Sequence, residues 1–484
     1  MDVRAPGNQS YKPPLAVDFD GTLSPSDILV DAFVQTLLRK PKALPGLVAS
    51  LRSGRLAFKE KLLSIGAYQP LSIPLDDELL AFLRSEKSNG REIHLVTASP
   101  QSIADAVSER VGIFDSATGS KDGDNLKGDR KAQHLKQRFP DGFTYAGNDD
   151  CDLDVWRHAK SAITVDASPR VAHRLEKLAI PVERSFKRRW PSFKTWLKLI
   201  RIHQWSKNAL MFVPLFLAHQ YGDWYAISRT AIAFVCMGLV ASATYILNDL
   251  SDLDVDRHHP TKRFRPLASA EISVRDSVVL AGVLGLAGGV GALLLDPLFA
   301  LVLGIYVLLT LAYSLRLKAI PLLDVFVLGL LFTLRIIMGI VLLHVSPSPW
   351  LMVFSLFFFF SLSTAKRHVE IVRAAARGHT GKIKGRGYLA SDAPMTLSLG
   401  VSSSTIAVTL LFLYVANDAY PAGYYRSPEW LWAVSPLVFL WTTRIWLKSH
   451  RGLLDDDPIN FALGDKPSLA LGLAVLVCFA LAVL

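Results

Sequence analysis

The chain has 484 residues and a formal net charge of +11, too long for a single hydrophobic core and basic enough to raise nucleic acid or a membrane surface as a partner. Long apolar blocks beyond about residue 190 decide between these: Lys and Arg in the short segments separating such blocks face anionic headgroups, so membrane lipid is expected and nucleic acid is not. Cys151, Cys236 and Cys478 stand singly, which excludes a disulfide framework and a cysteine zinc site.

In chain order, the polar, proline-containing stretch Met1 to Pro14 has no secretory-signal character, and the first domain is expected to stay in the cytoplasm. An apolar strand then runs directly into two aspartates and a glycine turn, Leu15-Ala-Val-Asp18-Phe-Asp20-Gly21-Thr22-Leu23. The carboxyl end of a strand is where open α/β sheets build their sites. A second strand, Ile93 to Ser99, ends in the hydroxyls of Thr97 and Ser99, and a third, from Phe143, ends in Gly147-Asn148-Asp149-Asp150-Cys-Asp152. Lys127-Gly-Asp-Arg-Lys131 lies between them, and about 26–86 reads as short helices that cap the site and limit substrates by shape. Residues 186–207 read as a basic interfacial linker helix with Trp190 and Trp196 as anchors.

From 208 to 484 nine candidate spans follow, near 208–221, 227–248, 275–295, 298–315, 320–342, 349–365, 396–417, 430–447 and 466–484. Basic residues fall on alternate loops: Arg257 to Arg265, then Arg316 and Lys318, then Lys366 to Arg386, then Lys448 and Arg451, with Arg426 alone among the others. Nine crossings from a cytoplasmic N-terminus satisfy this alternation and place the protein in the cytoplasmic membrane.

The second span ends in Asn248-Asp249-Leu-Ser-Asp252-Leu-Asp-Val-Asp256. If helix continues, Asp249, Asp252 and Asp256 share one face and Asp254 points elsewhere. Three close carboxylates repel unless a cation joins them, and oxygen ligands shared with phosphate suit Mg²⁺, so a magnesium diphosphate is the expected ligand. The plain alternative is a solvated acidic loop paired with His258-His259-Pro-Thr-Lys262-Arg263-Phe-Arg265-Pro266, a cluster that also suits phosphate oxygens. Asp324 and Arg335 in the fifth span share a face and are expected to line a polar cavity, too far apart to pair with each other.

These motifs resemble two families. The run from Asn248 to Asp256 followed by His259-Pro-Thr-Lys262-Arg263-Phe-Arg265-Pro266 is similar to the UbiA superfamily of intramembrane prenyltransferases over about 195–484. Ordinary members carry a second aspartate-rich motif after the sixth span, whereas this chain has Ser363-Thr-Ala-Lys366-Arg367-His-Val-Glu370. With Gln204-Trp205-Ser-Lys207-Asn208 and Tyr313-Ser-Leu-Arg-Leu-Lys318, that substitution resembles the decaprenyl-phosphate phosphoribosyltransferase branch. The resemblance implies phosphoribosyl diphosphate and a polyprenyl phosphate as substrates. Lys366 and Arg367 would orient the lipid phosphate, and Lys262, Arg263 or Arg265 the terminal phosphate of the sugar. Lys207, Asn208, Asn248, Tyr313, Lys318 and Glu370 are further substrate-binding candidates. One acidic and one basic motif independently fit one magnesium diphosphate and one bare phosphate.

Over about 13–182 the chain resembles the haloacid dehalogenase-like phosphatases. The resemblance makes Asp18 the nucleophile, Asp20 the general acid/base, Thr97 a phosphoryl ligand and Lys131, with Lys127 as the other candidate, the charge partner. Mg²⁺ would sit among Asp18, Asp20 through its carbonyl, and Asp152, with Asn148 standing where the family often has Asp. The expected fold is thus multi-domain: a Rossmann-like α/β phosphatase domain with a helical cap over 1–185 and an all-α domain of nine transmembrane helices over 208–484. Joined, the two would transfer phosphoribose to a polyprenyl phosphate and then remove the terminal phosphate. Prenyl transfer to a small acceptor beside an unrelated or regulatory phosphatase domain is the alternative, a lipid-phosphate transporter or scaffold a third reading, and homo-oligomer formation stays open.

Overall fold

A computed structural model describes residues 12–65, 72–121, 125–378, 381–383, 386–421, 423–454, 461–462 and 464–484. Part of the Met1 to Pro14 stretch and residues 66–71 of the expected cap lie outside the described residues. The chain divides into two compact units, one of residues 1–200 and 246–281, the other of 201–245 and 282–484. The carboxylate run therefore groups with the N-terminal residues.

The first unit is built on a parallel six-stranded sheet in the order β3-β2-β1-β4-β5-β6. The strands are β1 Leu15–Val17, β2 Ile93–Pro100, β3 Ser116–Ser120, β4 Thr144–Gly147, β5 Ser161–Val165 and β6 Val182–Phe186. β1 is central, with Leu15 opposite Ile93 on one side and Thr144 on the other. Alternation along β1 sends Leu15 and Val17 to a core with Ile28, Leu79, Leu83 and Ile103, and Ala16 to one with Leu135, Tyr145 and Trp156. Both faces are thereby covered, which is why a parallel strand reads as an unbroken apolar run.

The cap expected over 26–86 contains helices Ile28–Arg39, Leu44–Ser50 and Arg55–Ser64. Asp27 begins the first by accepting from the amides of Leu29 and Val30. The expected linker helix over 186–207 is divided: a short helix Phe193–Leu199 is followed by Arg201 at φ 52° and a 3₁₀ segment Ile202–Phe212. Trp190, expected as an interfacial anchor, is 93% exposed.

Seven helices among the described residues are long and apolar enough to cross a membrane: Trp224–Ser251, Val274–Leu295, Pro297–Leu315, Leu323–Leu343, Pro349–Ala376, Ala390–Ala419 and Lys466–Val483. The other two expected spans take shorter forms. Residues 208–221 hold the end of the 3₁₀ segment and helix Val213–Leu217, and 430–447 fall largely in the 17-residue helix Val434–His450. The helix Leu323–Leu343 approaches the 3₁₀ segment so closely that a Cβ on Gly339 would lie 2.3 Å from the Met211 carbonyl oxygen, so only glycine fits.

Candidate functional site

The ends of β1, β2 and β4 bring one set of side chains together. Lys131 Nζ donates to Asp18 Oδ1 at 2.8 Å and to the Tyr145 hydroxyl at 2.9 Å. Tyr145 donates in turn to Asp152 Oδ1 at 2.8 Å, and the amides of Asn148 and Asp149 hold Asp152 Oδ2 at 2.8 and 2.9 Å. Lys127, by contrast, is exposed at the rim. Asp20 turns the other way, accepting from Ser99 Oγ at 2.7 Å and the Ile28 amide at 3.1 Å. Thr97 is buried and accepts from the Ser99 amide. Gly21 at φ 75° makes the turn after Asp20, and a Cβ there would strike the Asn148 side chain.

The two aspartates of the loop thus differ in environment. Burial and the nearby Asp27 push the Asp20 carboxyl up to about 7 despite the bond from Ser99. Asp18 instead has a buried ammonium against it; burial opposes the Lys131 charge, but Asp18 and Asp152 outweigh it and hold its pKa above the ordinary value. Burial, then the Asp18 charge, raise Asp152. A carboxyl of raised pKa beside one held by an ammonium is the arrangement that ester cleavage by covalent phosphoryl transfer needs. Asp18, Asp152 and the Asp20 carbonyl supply hard oxygens and two like charges, a donor set that fits Mg²⁺. A cavity of about 390 Å³ opens over Asp18 and Asp20 and is also lined by Lys59, Lys127 and Arg275.

The carboxylate run does not continue as one helix. Trp224–Ser251 ends, Asp252 at φ −92° and ψ 8° forms the break, and Leu253–His258 begins anew. Asp249 and Asp256 are buried and both reach Arg265 Nη1, at 3.1 and 2.5 Å; Lys262 lies 3.9 Å from Asp256. Asn248 Nδ2 is 3.5 Å from Asp252 Oδ2, and Arg263 is exposed, stacked on Phe264. Arg265 thus occupies the bridging position between two of the three carboxylates. No group of three His, Cys, Asp or Glu side chains has metal-holding geometry among the described residues. The oxygens of Asp249 and Asp256 still suit a hard cation, with Arg265 marking where positive charge is held. Asp254 does point elsewhere: it lies 3.5 Å from Arg39 and 3.3 Å from Ser72.

In the second unit Arg367 is buried, its Nε ion-paired with Asp324 Oδ2 at 2.8 Å, and it donates from Nη1 to Glu370. Tyr388 donates to the same Asp324 at 2.7 Å. The guanidinium expected to orient a substrate phosphate is thus engaged by two carboxylates, and its neighbour Lys366 is half-buried. Arg335 donates to Asn208 Oδ1 at 3.0 Å, to Tyr306 at 2.9 Å and to the Leu331 carbonyl. Asn208, read as a substrate ligand, is thus a buried partner of Arg335. Lys207 lies 6.0 Å over the Phe332 ring, Tyr313 accepts from Arg386 at 3.1 Å, and Lys318 is half-buried.

Sequence reasoning missed Tyr145, which links Lys131 to Asp152, and Arg188, which clamps the loop after β1 by donating to the carbonyls of Gly21 and Thr22 at 2.9 and 2.8 Å. Ser99 was visible as a strand-end hydroxyl; nothing local marked the other two.

The sheet, the strand-end aspartates and the apolar helices together define a fused membrane enzyme and phosphatase-like domain, and the chain belongs to the UbiA prenyltransferase family, whose model matches residues 209–463. Residues 15–155 match the haloacid dehalogenase-like hydrolase model, so the chain is a membrane protein carrying a hydrolase-type domain. It is 45% identical over 473 residues to the protein y4nM of Sinorhizobium fredii, covering 97% of this chain and 91% of that one. It is 31% identical over 283 residues to a decaprenyl-phosphate phosphoribosyltransferase of Mycobacterium tuberculosis, covering 57% of this chain and 90% of the relative. A UbiA homolog from Archaeoglobus fulgidus, solved with GPP and Mg²⁺, aligns at a TM-score of 0.45 and 18% identity over 60% of this chain and 98% of that one.

Proposed function

We propose that this protein transfers 5-phosphoribose from phosphoribosyl diphosphate to a polyprenyl phosphate, and that its first domain removes the terminal phosphate from the product. The observation that carries the transfer reading is the second motif: Lys366-Arg367-His-Val-Glu370 is basic where an enzyme for two magnesium-bound diphosphate faces would need carboxylates. The 31% identity to a phosphoribosyltransferase supports the same choice.

In this reading Asp249, Asp252 and Asp256 would hold Mg²⁺, which would supply positive charge against the leaving diphosphate. The bond from the anomeric carbon to diphosphate breaks and a lipid phosphate oxygen takes its place. Arg265, already against Asp249 and Asp256, binds the diphosphate or the terminal phosphate of the sugar, with Lys262 and Arg263 beside it. Lys366 orients the lipid phosphate, while Arg367 positions the segment through Asp324 and Glu370. The catalytic carboxylates face the cytoplasm, and nine crossings include two short ones, 202–217 and 434–450.

In the first domain Asp18 attacks phosphorus, Lys131 and Thr97 steady the phosphoryl oxygens, and Asp20 gives its proton to the departing ribose oxygen. Water then releases phosphate and regenerates Asp18; Asp18, Asp152 and the Asp20 carbonyl would hold Mg²⁺, which would offset charge on the phosphoryl oxygens. Incubating membranes with labelled phosphoribosyl diphosphate and polyprenyl phosphate tests the scheme. A labelled lipid is expected; prenyl transfer in its place would overturn it.

A further inference from the structure

The cavity over Asp18 is not closed by the phosphatase sequence alone. Ser273, Val274 and Arg275, from the segment behind the carboxylate run, line it together with Lys59. That segment is fixed within the first unit by a buried pair, Arg257 Nη2 to Asp31 Oδ2 at 3.0 Å, and by two side chains of the cap helix Ile28–Arg39. Gln35 donates to the Leu250 carbonyl at 2.7 Å and Arg39 to that of Ser251 at 2.6 Å.

The charges around the cavity divide by whether they are already spent. Asp27 caps its helix, Asp31 is paired with Arg257, Asp20 is bonded to Ser99 and Ile28, and Asp18 to Lys131. Arg275 and Lys127 are exposed and have no side-chain hydrogen bond or ion pair among the described residues; Lys59, half-buried in the field of Asp20 and Asp27, donates to the Ala98 carbonyl at 3.1 Å. The phosphoryl end is fixed by Asp18 and Lys131. The leaving group must lie toward Asp20, whose proton it receives, and Lys59 sits on that side, bonded next to Ser99. Unspent cations on the leaving-group side of a phosphatase attract an anion that is not the one being cleaved.

We propose that this site takes phosphomonoesters whose leaving group carries a second anionic group, and that Arg275 with Lys59 receives that group. The inference rests on the phosphatase reading above. A phosphodiester joining ribose to a lipid supplies such an anion, and so does the second phosphate of a small bisphosphate.

The full chain in detergent is assayed on 5-phosphonopentyl phosphate, whose second anion cannot be cleaved, against pentyl phosphate. The ratio of the two kcat/KM values is taken within one preparation, so any loss of folded protein cancels. A preference of roughly tenfold for the doubly anionic ester is expected, the effect of one charged hydrogen bond. Arg275→Ala should bring the ratio close to one and Arg275→Lys should restore part of it. A wild-type ratio near one, a ratio unmoved by Arg275→Ala, or no hydrolysis of either ester would overturn the proposal. A second pair, the octyl phosphodiester of ribose 5-phosphate and octyl riboside 5-phosphate, separates the sources. Failure to cleave either ribosyl ester, with the Arg275-dependent ratio intact, keeps the inference and removes the lipid-ribose reading. Cleavage of the ribosyl diester without dependence on Arg275 does the reverse.

Discussion

Asp18 has one carboxylate oxygen held by Lys131 and the Phe19 amide, and in the proposed reaction the other attacks phosphorus. Asp18→Asn should lower phosphate release by roughly three orders of magnitude or more and leave the 5-phosphate on the lipid product, as read by mass analysis of extracted lipid. A second residue governs stability. Arg91, 4% exposed, meets Glu86 at 2.9 Å and Glu183 at 3.0 Å. Arg91→Met leaves Glu86 with only the exposed Lys12 and Glu183 with only hydroxyl donors, and should cost about 1–3 kcal/mol. Burial opposes ionisation of both glutamates, yet hydrogen bonds from Arg91, with Lys12 on Glu86 and Ser161 on Glu183, lower their pKa values below the ordinary 4.5. Their contribution is therefore present above pH 4.5 and is lost as pH falls through the lowered values. Thermal unfolding should show wild type losing stability across that range and Arg91→Met losing less. None of this cluster was legible, because its members lie far apart in sequence. Lys366 and Arg367 show a subtler limit: neighbours on a helix point about 100° apart, so adjacent basic residues need not share a task, and one of them turned inward to Asp324.

Strands β1, β2 and β4 announce themselves by the polar residues at their ends, whereas β3, β5 and β6 carry no motif and can be found only through the sheet that recruits them. The run of aspartates was legible as a site, but its geometry was not. Spacing assumes a continuous helix, and the break at Asp252 instead brings Asp249 and Asp256 to Arg265. Asp249→Asn is expected to abolish labelled-lipid formation, with no rescue by added Mg²⁺. The Asp31–Arg257 pair makes a separate prediction about the elements it joins. Arg257→Met should destabilise the first unit by about 3–5 kcal/mol, and adding Asp31→Leu should recover much of that, since the cost lies in the orphaned charge. Hydrogen exchange over 246–258 would show faster opening in the single variant than in the double.

At the scale of the whole molecule, composition separated lipid-facing from soluble sequence, and loop charge proposed an order of crossings. Helix length cannot settle the two short ones, where Pro214 and the 3₁₀ turns replace a regular span. With native cysteines changed to Ser, Gly423→Cys should react with a membrane-impermeant thiol reagent on intact cells and Arg451→Cys should not. Equal labelling of both would remove the crossing at 434–450. The end of helix Trp224–Ser251 also bears on how such a gene could change. Its last carbonyls find donors in Gln35 and Arg39, more than two hundred positions earlier in the chain. Terminal carbonyls must be met by something, so a cut between these segments would leave the later piece with an unmet helix end and Arg257, and the earlier one with Gln35, Arg39 and a buried Asp31. The two pieces would each be expected to need the other to complete these bonds.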